Sequence, residues 1–340
     1  MSIYYNTLIK FTKYKIIKKS LAKILQLSPN SLLIPPFSGI INIEPTNLCN
    51  LKCPLCPTAR GLKREKGFMK FDLFKLIVDR NKNLIKRIIM SFAGEPLLNP
   101  YIMKMAQYAE ERGISVVIST NATLLDKYLD QILESKLNTL IVCLDGATKE
   151  TYEQMRVGGN FQKVVDNIYR LCIEKYKRGL DKPHIQLQFL VSKINEHEIK
   201  DIIKLGKKLG VDSLRLKTLS LGDWGRLEDK IPLAEKYLPK SKEFRRYKFT
   251  ENKKFLLEKP PICPLLTRCA ILWNGDVIVC CHDYDGLLVV GNIREYDYSL
   301  KKIWKDKRYR IIRKKIIRYE PEICKNCGIG GGRGLTLMFK

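Results

Sequence analysis

Six short apolar segments alternate with helical patterns along the chain, and this alternation limits the fold more than any other feature. The segments are rich in Val, Ile and Leu, like strands buried on both faces, and they span residues 40–44, 87–92, 114–120, 139–145, 185–191 and 213–219. Strands that alternate with helices form βα units and a parallel sheet. Six strands are too few to close an eight-stranded barrel. The sequence therefore predicts an α/β fold, either an open partial barrel or a doubly wound sheet.

Two helical patterns between the strands are clear. They cover residues 71–84 and residues 195–210. Asn195 and Glu198 match a capping box at the start of the second helix. Gly210 ends that helix in the prediction, because glycine is the usual residue after the last helical turn.

Three cysteines in a loop after the first strand form a dense group of potential ligands. Cys49, Cys53 and Cys56 have the spacing C-x3-C-x2-C. Thiolates favour zinc, copper(I) or iron–sulfur clusters, but a structural zinc needs a fourth ligand, and no other Cys or His is near in sequence. A cubane cluster held by three cysteines leaves one iron open. An open metal position is how a site binds and activates a small molecule.

The stretch "CNLKCPLC" resembles the cluster loop of the radical S-adenosylmethionine (radical SAM) superfamily. Leu55 stands where many members carry an aromatic residue, which changes the packing without removing a ligand. The resemblance implies a partial (β/α)6 TIM-like barrel in which SAM chelates the fourth iron of a [4Fe–4S] cluster. Reductive cleavage of SAM would then give a 5′-deoxyadenosyl radical that abstracts a hydrogen atom from the substrate.

Three further segments match that family in the expected order and imply contacts to SAM. Gly94-Glu95-Pro96 resembles the segment that holds the SAM amino group, and Ser119-Thr120-Asn121 resembles the one that contacts its ribose or carboxylate. Arg156 would pair with the SAM carboxylate. Taken without the resemblance, these residues could instead form a strand-end turn, a helix N-cap and a surface salt bridge.

The cysteine-rich end of the chain resembles the SPASM or twitch domains that carry auxiliary clusters in many radical SAM enzymes. The resemblance implies one auxiliary [4Fe–4S] cluster with four ligands, Cys263, Cys280, Cys324 and Cys327. Cys269 and Cys281 are surplus candidates, and no cysteine follows Cys327 to build a second auxiliary cluster. A zinc ribbon made from the same four cysteines is the alternative.

The turn Asn274-Gly275-Asp276 lies between two apolar runs and predicts a β-hairpin, which would bring Cys263 and Cys280 to one end of a two-stranded ribbon. A fully ligated auxiliary cluster would accept an electron from a substrate radical. Such an oxidation also needs a base to remove a proton. Asp283 and His282 are the candidates for this base, and an ordinary hydrogen-bonding role is the alternative for each.

The formal net charge of +27 has two concentrated sources. Residues 1–38 predict a basic amphipathic arm, and residues 301–318 contain ten Lys or Arg and one acid. Such a field would attract nucleic acid or an anionic membrane surface. A solvated, lysine-rich surface is the simpler alternative.

The patterns divide the chain into the arm (1–38), a radical SAM partial barrel (39–219), a bridging segment (220–262) and an auxiliary-cluster domain (263–340). The sequence shows no secretory signal pattern and no apolar run that would span a bilayer. The eleven cysteines are better explained as ligands than as disulfides. These features predict a cytoplasmic location.

The resemblance, together with these features, implies a radical SAM oxidoreductase or maturase served by an external low-potential electron donor. Its predicted substrate is a peptide side chain or a small alcohol, which it would oxidise or cross-link. Modification of RNA or of a lipid-linked substrate is one alternative, because of the basic segments. A non-catalytic iron–sulfur redox protein is another, but it leaves the segments at 94–96 and 119–121 unexplained.

Overall fold

The computed structural model describes most of the two regions that carry the cysteines. The described residues are 35–221, 231–249, 255–257, 263–325, 327–328 and 334–339. The arm predicted at 1–38 lies almost entirely outside the described residues, and so does much of the bridging segment predicted at 220–262.

Ten of the described strands form one sheet, and two more form a separate ribbon. In chain order they are β1 Ile40–Ile43, β2 Arg87–Met90, β3 Ser115–Thr120, β4 Thr139–Cys143, β5 His184–Val191, β6 Ser213–Thr218, β7 Tyr247–Phe249, β8 Phe255–Leu257, β9 Cys269–Ile271, β10 Asp276–Ile278, β11 Val289–Asn292 and β12 Leu335–Met338. The order across the large sheet is β11-β10-β9-β1-β2-β3-β4-β5-β6-β12. Strands β1 to β6 run parallel. The six predicted strands are confirmed, and the sheet is open like that of a partial TIM barrel.

Helices follow most of the parallel strands. They are α1 Pro57–Arg60, α2 Phe71–Asn81, α3 Ile102–Glu110, α4 Leu125–Glu134, α5 Lys149–Met155, α6 Phe161–Lys177, α7 Ile199–Leu209, α8 Ile231–Tyr237, α9 Leu300–Trp304, α10 Lys307–Ile317 and α11 Glu322–Lys325. No helix in the described part of the chain is long and apolar enough to cross a membrane.

Each parallel strand turns its two faces to different surroundings. In β5, Leu187, Phe189 and Val191 are buried, whereas the residues between them are only half-buried. The buried side chains join those of the helices in one hydrophobic core. The opposite side, which we call the inner face, carries polar residues such as Gln188. The expectation that both strand faces are buried therefore holds only for the face under the helices.

The predicted hairpin is confirmed, and it extends the main sheet. Strand β9 pairs in parallel with β1, and β10 runs antiparallel to β9. Gly275 at the turn has φ +95°, a conformation that side-chain-bearing residues rarely adopt. At the other edge of the sheet, β12 pairs antiparallel with β6. Strands from the C-terminal part of the chain therefore pair with both edges of the six-stranded parallel sheet.

The capping box predicted for α7 is wrong, although Gly210 ends the helix in the left-handed conformation as expected. The Asn195 side chain accepts from the Ser192 amide and donates to the Asp145 carbonyl. Glu198 accepts from the Ala147 amide. Both side chains form hydrogen bonds near the carboxyl ends of β4 and β5, so neither caps the helix.

A buried ion pair joins α6 to the start of β6. Lys175 Nζ lies 2.7 Å from Asp212 Oδ2, and both residues are less than 9% exposed. Asp212→Asn would leave the ammonium buried without a counter-charge. We expect this change to lower the free energy of unfolding by about 3–5 kcal/mol in urea denaturation.

Glu174→Gln provides the matched control, because Glu174 pairs with Lys177 on the exposed side of the same helix. Its expected effect is below about 1 kcal/mol. Equal effects of the two substitutions would contradict a stabilising role for the buried pair.

Candidate active site and auxiliary metal centre

The loop that carries the first three cysteines begins where β1 ends. Glu44 is fully buried there, and its carboxylate forms a bidentate ion pair with the Arg64 guanidinium. Arg64 also donates to the Tyr284 carbonyl, and the Trp273 amide donates to Glu44 at 3.3 Å. The two ends of the loop are thus fixed to each other and to the C-terminal region.

Cys49, Cys53 and Cys56 lie half-buried on this loop. The Cys56 amide donates to the Cys53 carbonyl at 3.0 Å, and α1 starts directly after Cys56. Burial raises the pKa of Cys49 to about 11 and raises that of Cys53 as well. The raised pKa values favour the protonated thiols of Cys49 and Cys53, so metal binding at these two residues must release protons. Three soft donors on one ordered loop fit an iron–sulfur cluster.

Gly94 lets the end of β2 pack tightly against the cysteine loop. It has φ +79°, and a Cβ placed there would lie 2.5 Å from the carbonyl oxygens of Thr46 and Leu48. The Glu95 amide donates to that Leu48 carbonyl at 2.7 Å. A side chain at position 94 would therefore push the cysteine loop away from the sheet.

The Glu95 carboxylate is buried and accepts three hydrogen bonds from its own chain. The donors are the Leu97 amide at 3.0 Å, the Thr120 hydroxyl at 2.7 Å and the Asn121 amide at 2.7 Å. Burial raises the pKa of this carboxyl. The geometry gives Glu95 the task of joining the ends of β2 and β3. Pro96 begins the short 3-10 turn that follows.

Residues 119–121, at the end of β3, make contacts on two different surfaces. Asn121 Nδ2 lies 4.0 Å from Cys49 Sγ and donates to Asn50 Oδ1 at 2.9 Å. Ser119 instead faces the inner side of the sheet, with Oγ 3.6 Å from Cys143 Sγ. Of the three predicted residues in this segment, Asn121 is the one next to the cysteine loop.

Arg156 follows α5, and its guanidinium approaches Cys53 of the cysteine loop. Its Nη1 lies 3.9 Å from Cys53 Sγ, while Nε donates to Asp145 Oδ2 at 2.7 Å. Asp145 is nearly inaccessible and also accepts from the Leu190 amide at 2.7 Å. Burial lowers the pKa of Arg156, but the fields of Asp145 and of other nearby groups, Cys53 among them, together raise it above its usual value. Asp145 therefore fixes the guanidinium in place.

Asp145 was missed as a site residue by the sequence reasoning, although it belongs to the "LDG" stretch that ends β4. Its position at the carboxyl end of a parallel strand was the available signal, because functional groups of such folds gather there. Pairing with Arg156 could not be read from the sequence, since it depends on how α5 folds back over the sheet.

The four cysteines predicted for the auxiliary cluster line one cavity. Cys263, Cys280, Cys324 and Cys327 share it with apolar side chains and with Tyr319. Burial raises the pKa of Cys263 and of Cys280. Four thiols around an apolar cavity fit a fully ligated iron–sulfur cluster.

The two surplus cysteines do not line this cavity. Cys269 is buried in β9, opposite Ile41 of β1, and burial raises its pKa to about 12. Cys281 lies beside the cavity, where burial raises its pKa to about 11 and the nearby Cys263 adds to that rise. The geometry thus favours the four predicted ligands over both alternatives.

The structure does not support Asp283 as a base. Asp283 is almost inaccessible, and its two carboxylate oxygens accept from the amides of Leu287 and Leu288 at 2.8 and 2.7 Å. Asp283 instead closes the loop after β10, which is the ordinary hydrogen-bonding alternative. His282 is half-buried, and its amide donates to Cys280 Sγ at 3.4 Å.

Comparison with known families matches both cysteine regions. Residues 43–206 match the radical SAM superfamily, and residues 263–328 match the SPASM iron–sulfur cluster-binding domain. The first match includes the loop with Cys49, and the second includes all four cavity cysteines. The second match favours a cluster over a zinc ribbon. The chain therefore uses SAM, a SAM-binding [4Fe–4S] cluster and an auxiliary iron–sulfur cluster.

Similar proteins extend the comparison over most of the chain. The chain is 27% identical to the tungsten-containing aldehyde ferredoxin oxidoreductase cofactor-modifying protein of Pyrococcus furiosus, over 84% of this chain and 86% of that protein. Its fold is similar to Streptococcus suis SuiB bound to the precursor peptide SuiA, with a TM-score of 0.61 at 17% identity over 97% and 76% of the two chains. It is also similar to anSMEcpe with bound AdoMet, with a TM-score of 0.58 at 18% identity over 81% and 82%. The chain belongs to the radical SAM superfamily of enzymes and carries a C-terminal SPASM domain.

Proposed function

We propose that this enzyme oxidises or cross-links a peptide side chain or a small alcohol after abstraction of a hydrogen atom. When bound, SAM and its cluster supply the 5′-deoxyadenosyl radical for that abstraction, and the auxiliary cluster supplies an electron acceptor. The ligands proposed for the SAM-binding cluster are Cys49, Cys53 and Cys56. Those proposed for the auxiliary [4Fe–4S] cluster are Cys263, Cys280, Cys324 and Cys327.

One observation carries this proposal: a single sheet connects the two cysteine sites. The first cysteine loop leaves the end of β1, and β9 of the auxiliary region pairs directly with β1. The Glu44–Arg64 ion pair adds contacts from the loop to Trp273 and Tyr284. A substrate at the inner face would therefore lie between two sites whose separation is held by backbone hydrogen bonds.

The residues around the first loop have distinct proposed tasks. Arg156 is aimed at Cys53 by Asp145, so it is available to the carboxylate of SAM. Asn121 is fixed beside Cys49 by Glu95, and its amide group faces the same loop. Glu95 acts through Asn121 in this proposal, because its carboxylate is occupied by three donors of the chain itself.

The four thiols of the auxiliary site give that cluster a closed ligand set. A cluster with no open iron does not bind substrate through the metal, which supports electron transfer as its role. Oxidation also requires loss of a proton. His282, next to Cys280, is the proposed base now that Asp283 has a structural role. An external low-potential donor and a cytoplasmic location complete the proposal.

The substrate can be a small molecule or a peptide in this proposal. The Pyrococcus furiosus relative is named for cofactor modification, and it aligns with most of this chain. That relationship supports a small molecule.

Modification of RNA or a lipid-linked substrate is the second candidate, and α10 favours it. Lys307, Arg308, Lys314 and Lys315 of this helix are exposed, and no acid lies within the helix. A basic helical surface of this kind attracts polyanions. Salt-sensitive binding to RNA or anionic vesicles would favour this candidate over the first.

Loss of the three cysteines in the first loop should abolish SAM cleavage. The variant Cys49→Ala/Cys53→Ala/Cys56→Ala removes every proposed ligand of the SAM-binding cluster, so 5′-deoxyadenosine should fall below detection after reduction with dithionite. Cys172→Ala is the control, because Cys172 lies in α6 within the hydrophobic core. Continued 5′-deoxyadenosine formation by the triple variant would refute the ligand assignment.

Iron content should separate the auxiliary ligands from the surplus cysteines. The reconstituted enzyme should bind about eight irons per chain, as two four-iron clusters require. Cys280→Ala/Cys324→Ala should bind about four, because two of the four cavity thiols are lost. Cys269→Ala is the matched control and should keep the full content. A full iron content in the double variant would contradict the cavity as a cluster site.

A further inference from the structure

The inner face carries a band of polar side chains near the carboxyl ends of the strands. Ser119 Oγ lies 3.6 Å from Cys143 Sγ, and Gln188 Nε2 donates to the same sulfur at 3.4 Å. On β6, Lys217 is paired with Leu190, two residues beyond Gln188 in the register. The band thus crosses β3, β4 and β5 and ends at Lys217.

Lys217 lies between the two cysteine sites. Thr218, the next residue of β6, accepts from Arg246, and Arg246 Cδ would lie 3.2 Å from a Cβ at Gly328, directly after Cys327 of the auxiliary cavity. On the other side, the register partner of Lys217 is Leu190, whose amide donates to Asp145 Oδ1 at 2.7 Å. Asp145 is the residue that aims Arg156 at the first cysteine loop.

The ammonium of Lys217 has no ion pair or hydrogen bond with any described residue. The carboxylate of Asp145 is already held by Arg156 at 2.6 Å and by the Leu190 amide at 2.7 Å. Solvent reaches the Lys217 side chain, yet the surrounding protein desolvates the ammonium enough to lower its pKa. The cation therefore has no direct counter-charge among the described residues.

Arg246 adds a second cation next to Lys217. Its Nη2 donates to Thr218 Oγ1 at 3.2 Å, whereas its Nε is buried and has no partner within the described ranges. Because Thr218 directly follows Lys217, Arg246 contacts the residue next to Lys217, and its field adds to burial in lowering the pKa of Lys217. Buried N–H groups in proteins are nearly always satisfied. A buried Nε–H without a described partner, next to a second cation, points to a ligand that accepts hydrogen bonds.

We propose that Lys217 and Arg246 bind an anionic group of the substrate, a carboxylate or a phosphate, between the two cysteine sites. The proposal rests on the function proposed above and adds the chemical class of the substrate. Two adjacent cations attract an anion strongly where protein excludes part of the water. The planar guanidinium also matches the oxygen geometry of both groups. An anion held there anchors the substrate between the SAM site and the auxiliary site.

Titration of the reconstituted enzyme with small anions tests this site. Inorganic phosphate and malonate serve as the two probes. SAM is present throughout, so that its carboxylate occupies the proposed position at Arg156 and the probes do not bind there. Isothermal calorimetry should show one saturable site for at least one probe. The probe that binds identifies the substrate group as phosphate or carboxylate.

Variants then locate the binding. Lys217→Met and Arg246→Gln should each weaken it at least about tenfold, because each removes one charge from a confined pair. Lys217→Arg keeps the charge and should retain binding. Lys204→Met is the matched control, since Lys204 is a largely exposed lysine on α7. Iron content and thermal midpoint are measured for each variant to establish that it is folded.

Two results would overturn the anion site: no saturable binding of either probe, or equal binding by Lys217→Met and Lys204→Met. Failure of the proposed function is detected separately in the parent enzyme. If the parent forms no 5′-deoxyadenosine with dithionite, the proposed function fails whatever the titration shows. If it forms 5′-deoxyadenosine while all variants bind anions equally, only the anion site is refuted.

Discussion

The pairing of β1 with both β2 and β9 is the interaction on which the rest of the structure depends. It makes one sheet out of the parallel strands and the hairpin of the auxiliary region. The first cysteine loop starts at the end of β1, and the Glu44–Arg64 ion pair ties it to Trp273 in the hairpin turn and to Tyr284 after the hairpin. Backbone hydrogen bonds between β1 and β9 therefore join the two regions that carry the cysteine sites.

Polar groups beside the first cysteine loop are held in place by carboxylates that are themselves buried. Glu95 fixes Asn121, and Asp145 fixes Arg156, in each case through hydrogen bonds of 2.7 Å. A buried carboxylate is costly unless several donors satisfy it, and both residues meet that condition. Lys217 and Arg246 differ, because no described carboxylate contacts the Lys217 ammonium and the buried Nε–H of Arg246 has no described partner. This contrast supports the proposal that the inner face binds an anion.

Much of the fold could be predicted from the sequence, and the reasons are local. The six parallel strands were visible as short apolar runs, and Gly210 and Gly275 mark chain reversals that only a few residue types allow. The four cavity cysteines followed from the resemblance to SPASM domains. By contrast, the capping box at Asn195 failed because that side chain has better tertiary partners. Asp145, Lys217 and Arg246 could not be identified, since their importance depends on which groups the fold brings close to them.

The central claim is that the enzyme pairs one cluster that is open to SAM with one that is closed. Electron paramagnetic resonance of the dithionite-reduced enzyme, recorded with and without SAM, tests it most directly. Two reduced cluster signals should be resolved, and SAM should change one of them while the other stays the same. A change in both signals, or in neither, would contradict the account.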